Sequence, residues 1–233
     1  MADGGSVMFR YISKQEAIDF LLPRHYSGRK PPISFAFGDI IDNEIKAVCT
    51  FGKPPSDNLC YGVCGHEFSK YVIELNRLCR EDDYDKQLSE FVGYCLRELK
   101  NIGNFIVVSF SDTSMHHNGY IYQATNFLYT GESAKRTDWY DYSNKHPRSL
   151  KNPNNGIRRI RSTKNRYIYF VGDKRFKKQC LKALNYEILP YPKAENKNYK
   201  LGHFQDIEII DNGELRTIEI ENNFIKNNQL KLF

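Results

Sequence analysis

Ser109-Phe110-Ser111-Asp112, followed by Gly119-Tyr120-Ile121-Tyr122-Gln123-Ala124-Thr125-Asn126-Phe127, is the stretch on which the fold turns. Phe105 to Phe110 is an unbroken apolar run, the pattern of a strand covered on both faces. The run ends in the polar pair Ser111-Asp112, passes through a polar loop and enters a short helix that stops at Asn126. Sheets with helices on both faces place ligands where a strand hands over to a helix. A carboxylate at that handover, with the Tyr122 hydroxyl on the helix beyond it, reads as a site and not as core.

The surrounding elements can be read outward from there. Leu88, Phe91, Val92, Cys95, Leu96 and Leu99 recur at helical spacing, which predicts an amphipathic helix over 85–100. Tyr71 to Cys79 reads as a strand, and Ser34–Gly38 with Lys46–Phe51 as a hairpin about Asp42-Asn43-Glu44. Met8–Ile12 is a short strand. Ser13-Lys14-Gln15-Glu16 forms a capping box for a helix that Pro23 is expected to stop near Leu22. Lys53–Asn58 reads as a loop. Downstream lie a strand from Phe127 to Thr130, a polar and aromatic stretch without clear period from Ser133 to Lys164, and a strand from Arg166 to Val171. A helix opened by Asp173 follows, then a hairpin about Asp211-Asn212-Gly213.

The chain has 233 residues, 40% of them hydrophobic, with 16 Tyr and 15 Phe, so a sizeable core is expected and disorder of the body is not. There is no apolar run long enough to cross a membrane as a helix and no apolar signal core near Met1. The six cysteines sit in apolar runs, which points to buried thiols and a cytoplasmic setting. The net charge of +6 is unevenly spread: thirteen Lys and Arg fall between Ser143 and Lys182 against the single acid Asp173. A block of one sign at that density attracts phosphate chains through counterion release, although a solvated face is the plain alternative.

The order strand, helix, hairpin, strand, long helix, buried strand, short helix, strand resembles the Gcn5-related N-acetyltransferase (GNAT) superfamily over about 8–130. That fold class is α/β, a mixed sheet splayed in the middle and flanked by helices, here with a basic C-terminal extension. Tyr122-Gln123-Ala124-Thr125-Asn126-Phe127 is similar to the superfamily's last-helix pattern, in which the Tyr protonates the departing group and a small residue ends the helix in a left-handed turn, a place Asn can take. The Gly-rich pyrophosphate loop of that superfamily is missing. Arg80-Glu81-Asp82-Asp83-Tyr84-Asp85-Lys86-Gln87 stands in its place, and its acids would repel a phosphate. The expected division is a core at 8–131, a basic aromatic extension at 132–193 that completes the fold and binds nucleic acid, and a hairpin and tail at 194–233.

Six motifs in order resemble the phage Mom family of DNA adenine-modification proteins: His25-Tyr26-Ser27-Gly28-Arg29, Phe51-Gly52-Lys53-Pro54-Pro55-Ser56, Glu74-Leu75-Asn76-Arg77-Leu78, Ser109 to Asp112, Ile121-Tyr122-Gln123-Ala124 and Leu189-Pro190-Tyr191-Pro192. The resemblance implies conversion of DNA adenine to N6-carbamoylmethyladenine, which hides phage DNA from restriction nucleases. The exocyclic amine is a poor nucleophile, so its attack needs a proton acceptor and donors for the oxyanion. Asp112 is the first candidate acceptor, against the alternative that it caps the following turn. Arg77 could hold carbonyl or phosphate charge, or pair with Glu74, whose facing at that spacing depends on a bulge. His25, Tyr26 and Tyr122 complete the expected catalytic set. Arg29, Ser109, Ser111 and Gln123, within the same motifs, and Asn126 at the end of the short helix are expected against the substrate.

A carbamoylmethyl group has the atoms of a glycine amide. One route is glycyl transfer to N6, attack of its amine on ring carbon 6 and migration. That makes glycyl-tRNA a candidate donor beside acetyl-CoA, and tRNA a second nucleic-acid partner beside DNA. Reaching N6 favours an extruded base stacked on an aromatic ring, for which Tyr26, Tyr122, Trp139, Tyr140 and Tyr142 are candidates. Arg148, Lys151, Arg158, Arg159, Arg161 and Lys164 are expected on phosphates, with Trp139 beside them. His25, Tyr26, Asp112 and His117 are weak candidates for a metal such as iron. Cys60, Cys64 and His66 are half of a zinc pattern with no second Cys pair. Two competing readings are an acetyl-CoA-dependent N-acyltransferase acting on a protein or small amine, and a non-catalytic nucleic-acid-binding module.

Overall fold

The structure, a computed structural model, describes residues 7–25, 29–142, 150, 155–193 and 206–218. The chain opens with β1 (Val7–Tyr11) and α1 (Lys14–Arg24), then the hairpin β2 (Phe35–Ile41) and β3 (Glu44–Gly52). Asp42 and Asn43 make that turn at φ 52 and 65, the left-handed conformation that a tight hairpin demands. The predicted capping box closes α1: Ser13 Oγ accepts from Glu16 N at 3.1 Å and Ser13 N donates to Glu16 Oε2 at 2.6 Å. Pro23 does not stop the helix as expected. It lies in the last turn, and His25 N still reaches Leu21 O at 2.8 Å. A proline removes one amide donor, and the next amide closes the turn around it.

The loop expected after β3 holds through Ser56, and its last two residues open a helix the sequence did not reveal, α2 (Asp57–Phe68), kinked where Cys64 and Gly65 leave helical geometry. Then come β4 (Val72–Arg80), α3 (Leu88–Ile102), β5 (Phe105–Asp112), α4 (Tyr120–Ala124) and β6 (Leu128–Glu132). Helix α3 starts three residues later than its periodicity predicts. Tyr84 and Lys86 are drawn out of it toward Asp39, a fully buried carboxylate on β2 that accepts from Tyr84 Oη at 2.9 Å and from Lys86 Nζ at 3.3 Å. A buried charge must be paired, and this requirement outweighs three more residues of helix. The remaining elements are β7 (Arg136–Trp139), β8 (Ile157–Arg161), β9 (Lys164–Val171), α5 (Lys174–Ala183), β10 (Ile207–Asp211) and β11 (Glu214–Ile218).

Seven strands form the main sheet in the order β1-β2-β3-β4-β5-β9-β6, antiparallel except for β4 and β5. The parallel pair is short: Val72–Leu75 matches Ile106–Ser109, after which β4 stays with β3 to Arg80 and β5 stays with β9 to Asp112. The sheet therefore splits between the C-terminal halves of β4 and β5, as the GNAT-like fold expectation requires. One face of the sheet packs on α3, through Phe91, Val92, Cys95, Leu96 and Leu99 against Phe37, Val107, Phe127 and Tyr167. The other packs on α2 and α5, with Val63, Phe176 and Cys180 against Ile106, Val108 and Ile168. The apolar run of β5 is thus covered on both faces, and each such side chain contributes about 1.5–3 kcal/mol by its removal from water. All six cysteines are free thiols and buried.

The segments 132–193 and 194–233 are shared between two sheets. Strand β9 sits inside the main sheet between β5 and β6, whereas β7 and β8 leave it to form a second sheet, β11-β10-β8-β7. The C-terminal hairpin turns at Asn212 and Gly213, with φ 49 and 91. It joins the second sheet by pairing β10 with β8, not by packing on the basic helix. The aperiodic stretch from Ser133 hides these two short strands because most of their positions are polar.

Candidate active site

The split in the sheet becomes a cleft of about 660 Å3. Its wall takes Glu74 and Arg77 from β4, Ser111 and Asp112 from the end of β5, Tyr120 and Tyr122 from α4, Lys164 from β9, and His25 and His117 from the loops. The opening stretch of sequence supplies two of these elements, β5 and α4, and Asp112 and Tyr122 line the same opening.

Local geometry explains how each group arrives. Strand β4 has a bulge: Thr50 pairs with Arg77 and Phe51 with Leu75, so Asn76 has no partner in the ladder. Asn76 is satisfied instead by its side chain, which accepts from Thr50 Oγ1 at 2.7 Å and donates to Pro32 O at 2.7 Å. The extra residue brings Glu74 and Arg77, three apart, to the same side of the strand. Arg77 Nη1 donates to Asn76 O at 2.6 Å. At the end of β5, Asp112 does cap the next turn: Oδ1 accepts from Ser114 N at 3.1 Å and from Ser114 Oγ at 2.7 Å. Its other oxygen, Oδ2, lies 3.6 Å from Lys164 Nζ. The turn thus takes one oxygen of Asp112 and Lys164 the other. Helix α4 starts at Gly119 with φ 76, where a Cβ would collide with the Tyr167 ring. It ends, as predicted, with Asn126 left-handed at φ 60. Tyr122 leans on Tyr167 and Phe127, with ring centroids 5.2 and 5.4 Å away.

The electrostatics separate the two carboxylates. Burial raises Glu74 above the ordinary carboxylate range, only partly opposed by Arg77 and Lys164. Burial also acts on Asp112, but hydrogen bonds from Ser162 and Ser114 and the charge of Lys164 outweigh it and hold that group below its ordinary value. Burial lowers Lys164, against the pull of Asp112. His25 is pushed down to about 3 by burial and by the positive fields of Arg77, Lys164 and His117, so its imidazole is neutral. Glu74 and the placement of Lys164 in the cleft were both missed in the sequence. The signal for Glu74 was a charged residue inside an apolar strand, and it was read only as a partner for Arg77.

Several expected substrate contacts lie elsewhere. Ser109 is fully buried, and its hydroxyl donates to Leu75 O at 2.9 Å, tying β5 to β4 at the point where they part. Gln123 is spent on Asn118 O at 3.0 Å and Tyr167 Oη at 3.4 Å, and Asn126 points to solvent at the helix end. Ser111 does line the cleft, and its buried Oγ makes no hydrogen bond. Arg29 is exposed and outside the cleft wall, near enough to Arg159 for their charges to act on each other. Tyr26, Arg148 and Lys151 lie outside the described residues.

The expected aromatic stackers also divide. Tyr140 is buried with Ile207 and Ile209, and Tyr142 Oη donates to Asp211 at 3.2 Å. Trp139 lies under the Arg158 guanidinium, 4.3 Å from its ring centre. Among the described residues, Tyr122 is the one expected stacker that lines the cleft, where Tyr84 and Tyr120 join it.

Neither metal expectation finds support. Among the described residues no group of three or more His, Cys, Asp and Glu could hold an ion. Cys60 and Cys64 face the core, while His66 is exposed and stacks on Tyr61. The loop at 81–87 does not fit a pyrophosphate cradle either. It has no glycine, Tyr84 fills it from within, and Asp82 lines the cleft beside the first residues of α3. Among the described residues, no helix is long and apolar enough to cross a membrane.

Solved structures with a similar course of chain include a Staphylococcus aureus N-acetyltransferase (14% identity, TM-score 0.45, 71% of this chain and 99% of that one). Another is a Drosophila melanogaster polyamine N-acetyltransferase (12%, 0.43, 70% and 99%). A Bacillus subtilis acetyltransferase in complex with CoA is a third (13%, 0.40, 70% and 97%). A comparison with curated proteins finds no match. The model of the Mom protein family matches residues 6–193, a span holding every strand of the main sheet and every residue of the cleft wall, and the chain belongs to that family.

Proposed function

We propose that this chain transfers an acyl-derived group to N6 of adenine in DNA, giving N6-carbamoylmethyladenine or a related N6 adduct, and so hides DNA from restriction nucleases in the host cytoplasm. The observation that carries this reading is the cleft in which Glu74, Arg77, Asp112, Tyr122 and Lys164 converge from three strands of the sheet and helix α4. Its volume falls in the range of small-molecule sites, roughly 300–1,000 Å3, and it holds a tyrosine face for an extruded purine.

The division of labour follows from the protonation states. A proton acceptor works best when its pKa approaches the working pH. Asp112, expected in that role, is held too acidic by its hydrogen bonds and by Lys164, whereas Glu74 is raised by burial. Glu74 therefore takes the N6 proton as the N6–carbon bond forms. Arg77 and Lys164 face the negative charge that develops on the carbonyl oxygen, and Asp112 holds Lys164 in place. Tyr122 gives its proton to the departing group of the donor as that bond breaks. Two carboxyls whose surroundings drive them apart are the usual mark of divided acid and base roles.

Acetyl-CoA and glycyl-tRNA are the candidate donors: a glycyl group on N6 becomes carbamoylmethyl when its own amine attacks ring carbon 6 and displaces the former N6, which stays as the amide nitrogen, whereas acetyl transfer stops at the related N6-acetyl adduct. The splayed sheet by itself also suits an acetyl-CoA-dependent enzyme acting on a protein or small amine, but Asp82 and the filled loop at 81–87 oppose a bound pyrophosphate. A non-catalytic nucleic-acid module would have no use for a buried carboxylate with a raised pKa. The test is nucleoside mass spectrometry of plasmid DNA from cells expressing the wild type, Glu74→Gln and Asp112→Ala proteins. A mass shift on adenine in the wild type, lost in both variants, is the expected result. Unmodified adenine in all three would end the proposal. Labelled glycine appearing in the adduct would select the glycyl donor, and labelled acetate the other.

A further inference from the structure

The basic block that looked uniform in sequence is divided by the second sheet into two faces. Trp139 pairs with Arg158 and Asp138 with Arg159, so Arg158 and Arg159 point to opposite sides. On one side Arg158 is already committed. Its Nε donates to Thr137 Oγ1 at 2.6 Å, its Nη2 donates to Thr137 O at 3.2 Å, and its guanidinium covers Trp139. On the other side Arg159 and Arg161 stand two residues apart along β8. Arg161 meets Asp138 at 3.6 Å with both groups part-exposed, a pair worth about 0–1 kcal/mol and easily exchanged for a phosphate. Arg159 makes no ion pair among the described residues.

This second face runs into the cleft. Strand β8 turns through Ser162 and Thr163, and Thr113, just after Asp112, donates its hydroxyl to Thr163 O at 2.7 Å. Ser162 bonds to Asp112, and Lys164, the first residue of β9, reaches the same carboxylate. Burial and the like charges of Arg161 and Arg29 work against the charged form of Arg159, while Tyr140 and Asp138, its neighbour across the strands, pull the other way.

We propose that Arg159 and Arg161 of β8 form a track for the phosphates of the DNA strand whose adenine enters the cleft. The inference rests on the DNA reading above and adds where the strand runs. A strand of protein spaces alternate side chains by about 6.6 Å, comparable with the separation of successive phosphates along an extended nucleic acid. A compact anion such as a diphosphate asks for donors that converge, whereas these lie in a line that ends at the reacting groups. The track thus takes a single, extended strand, and the Trp139–Arg158 face takes none of it.

The experiment uses the full chain with a labelled single-stranded oligonucleotide containing adenine, titrated across salt concentrations. Arg159→Gln with Arg161→Gln is expected to weaken binding on the order of tenfold and to flatten the logarithmic salt slope by about 1.4, the value for two phosphate contacts on a single strand. Arg159→Lys with Arg161→Lys retains the point charges and the slope, which separates charge from folding, with circular dichroism melts as the control. Arg158→Gln is expected to stay within about twofold of wild type, since that charge is already engaged. An unchanged slope in the double Gln variant, or an equal loss from Arg158→Gln, overturns the track. If the wild type binds with these slopes but leaves adenine unmodified, the track stands and the catalytic reading falls. If adducts form with an unchanged KM for DNA in the double Gln variant, the track falls and the chemistry stands.

Discussion

Glu74 and Asp112 are both half-buried carboxyls in one cleft, and the difference between them is countable. Asp112 has three hydrogen bonds to two serines and a lysine at 3.6 Å, while Glu74 has only the fields of Arg77 and Lys164. The rate of adduct formation is therefore expected to rise with pH as Glu74 ionises, at a value above that of an ordinary carboxylate. Glu74→Gln should lower kcat by roughly 10²–10⁴, the span of general-base catalysis, and abolish that ascending limb. Asp112→Asn should reduce the rate while the limb stays. The reverse assignment of the limb in a pH–rate profile would return the proton to Asp112. His25 gives a second pH signature, this time in stability. Its folded value of about 3 lies below the ordinary 6.5, so the folded state refuses a proton that the unfolded state accepts. The stabilisation is complete above the unfolded value and is lost as pH falls toward about 3, at about 1.4 kcal/mol per pH unit. Urea unfolding of wild type and His25→Gln, compared at neutral pH and at about pH 4.5, should show the variant losing less on acidification.

The elements that carry the site are bent by single residues. The bulge at Asn76 turns Glu74 and Arg77 to one side, and no pattern in Glu74-Leu75-Asn76-Arg77-Leu78 announces it, because its cause is the Thr50–Asn76–Pro32 hydrogen-bond chain across three segments. Helix α4, in contrast, was legible from Gly119 and Asn126, since both limits are local backbone requirements. Gly119→Ala is expected to cost about 1–3 kcal/mol and to lower Tm, because it combines a left-handed φ with a collision against Tyr167. Gly213→Ala, at φ 91 in open space, should cost about 1 kcal/mol or less. Equal losses at the two positions would show that backbone conformation, and not the tyrosine, sets the requirement at Gly119. Tyr84→Phe leaves the buried Asp39 with Lys86 alone. It should destabilise by about 1.5–3 kcal/mol, the range for a hydrogen bond to a charged group, measurable by denaturant titration.

The two sheets assemble from segments far apart in the chain, and their stabilities are expected to part on perturbation. Ile209 is fully buried between Tyr140, Ile157 and Ile218 in the small core of the second sheet. Ile209→Ala should remove about 2–5 kcal/mol from that sheet. Hydrogen exchange should then show β8 and β10 losing protection while β4 and β5 keep theirs. Uniform loss across both sheets would mean that they unfold as one unit. The buried run of β5, the α3 stripe, both tight hairpins and the capped ends of α1 and α5 follow from the amino-acid order alone, because periodicity, caps and left-handed turns are satisfied within a few residues. The chain's order likewise placed Asp112 and Tyr122 on consecutive elements. Which face Glu74 takes, how the two oxygens of Asp112 are divided between Ser114 and Lys164, that Lys164 belongs to the cleft and Arg158 to Trp139, and that the last hairpin pairs with β8 were decided only in three dimensions. Burial, ion pairing and strand register are contacts between residues distant in the chain, and no local pattern encodes them.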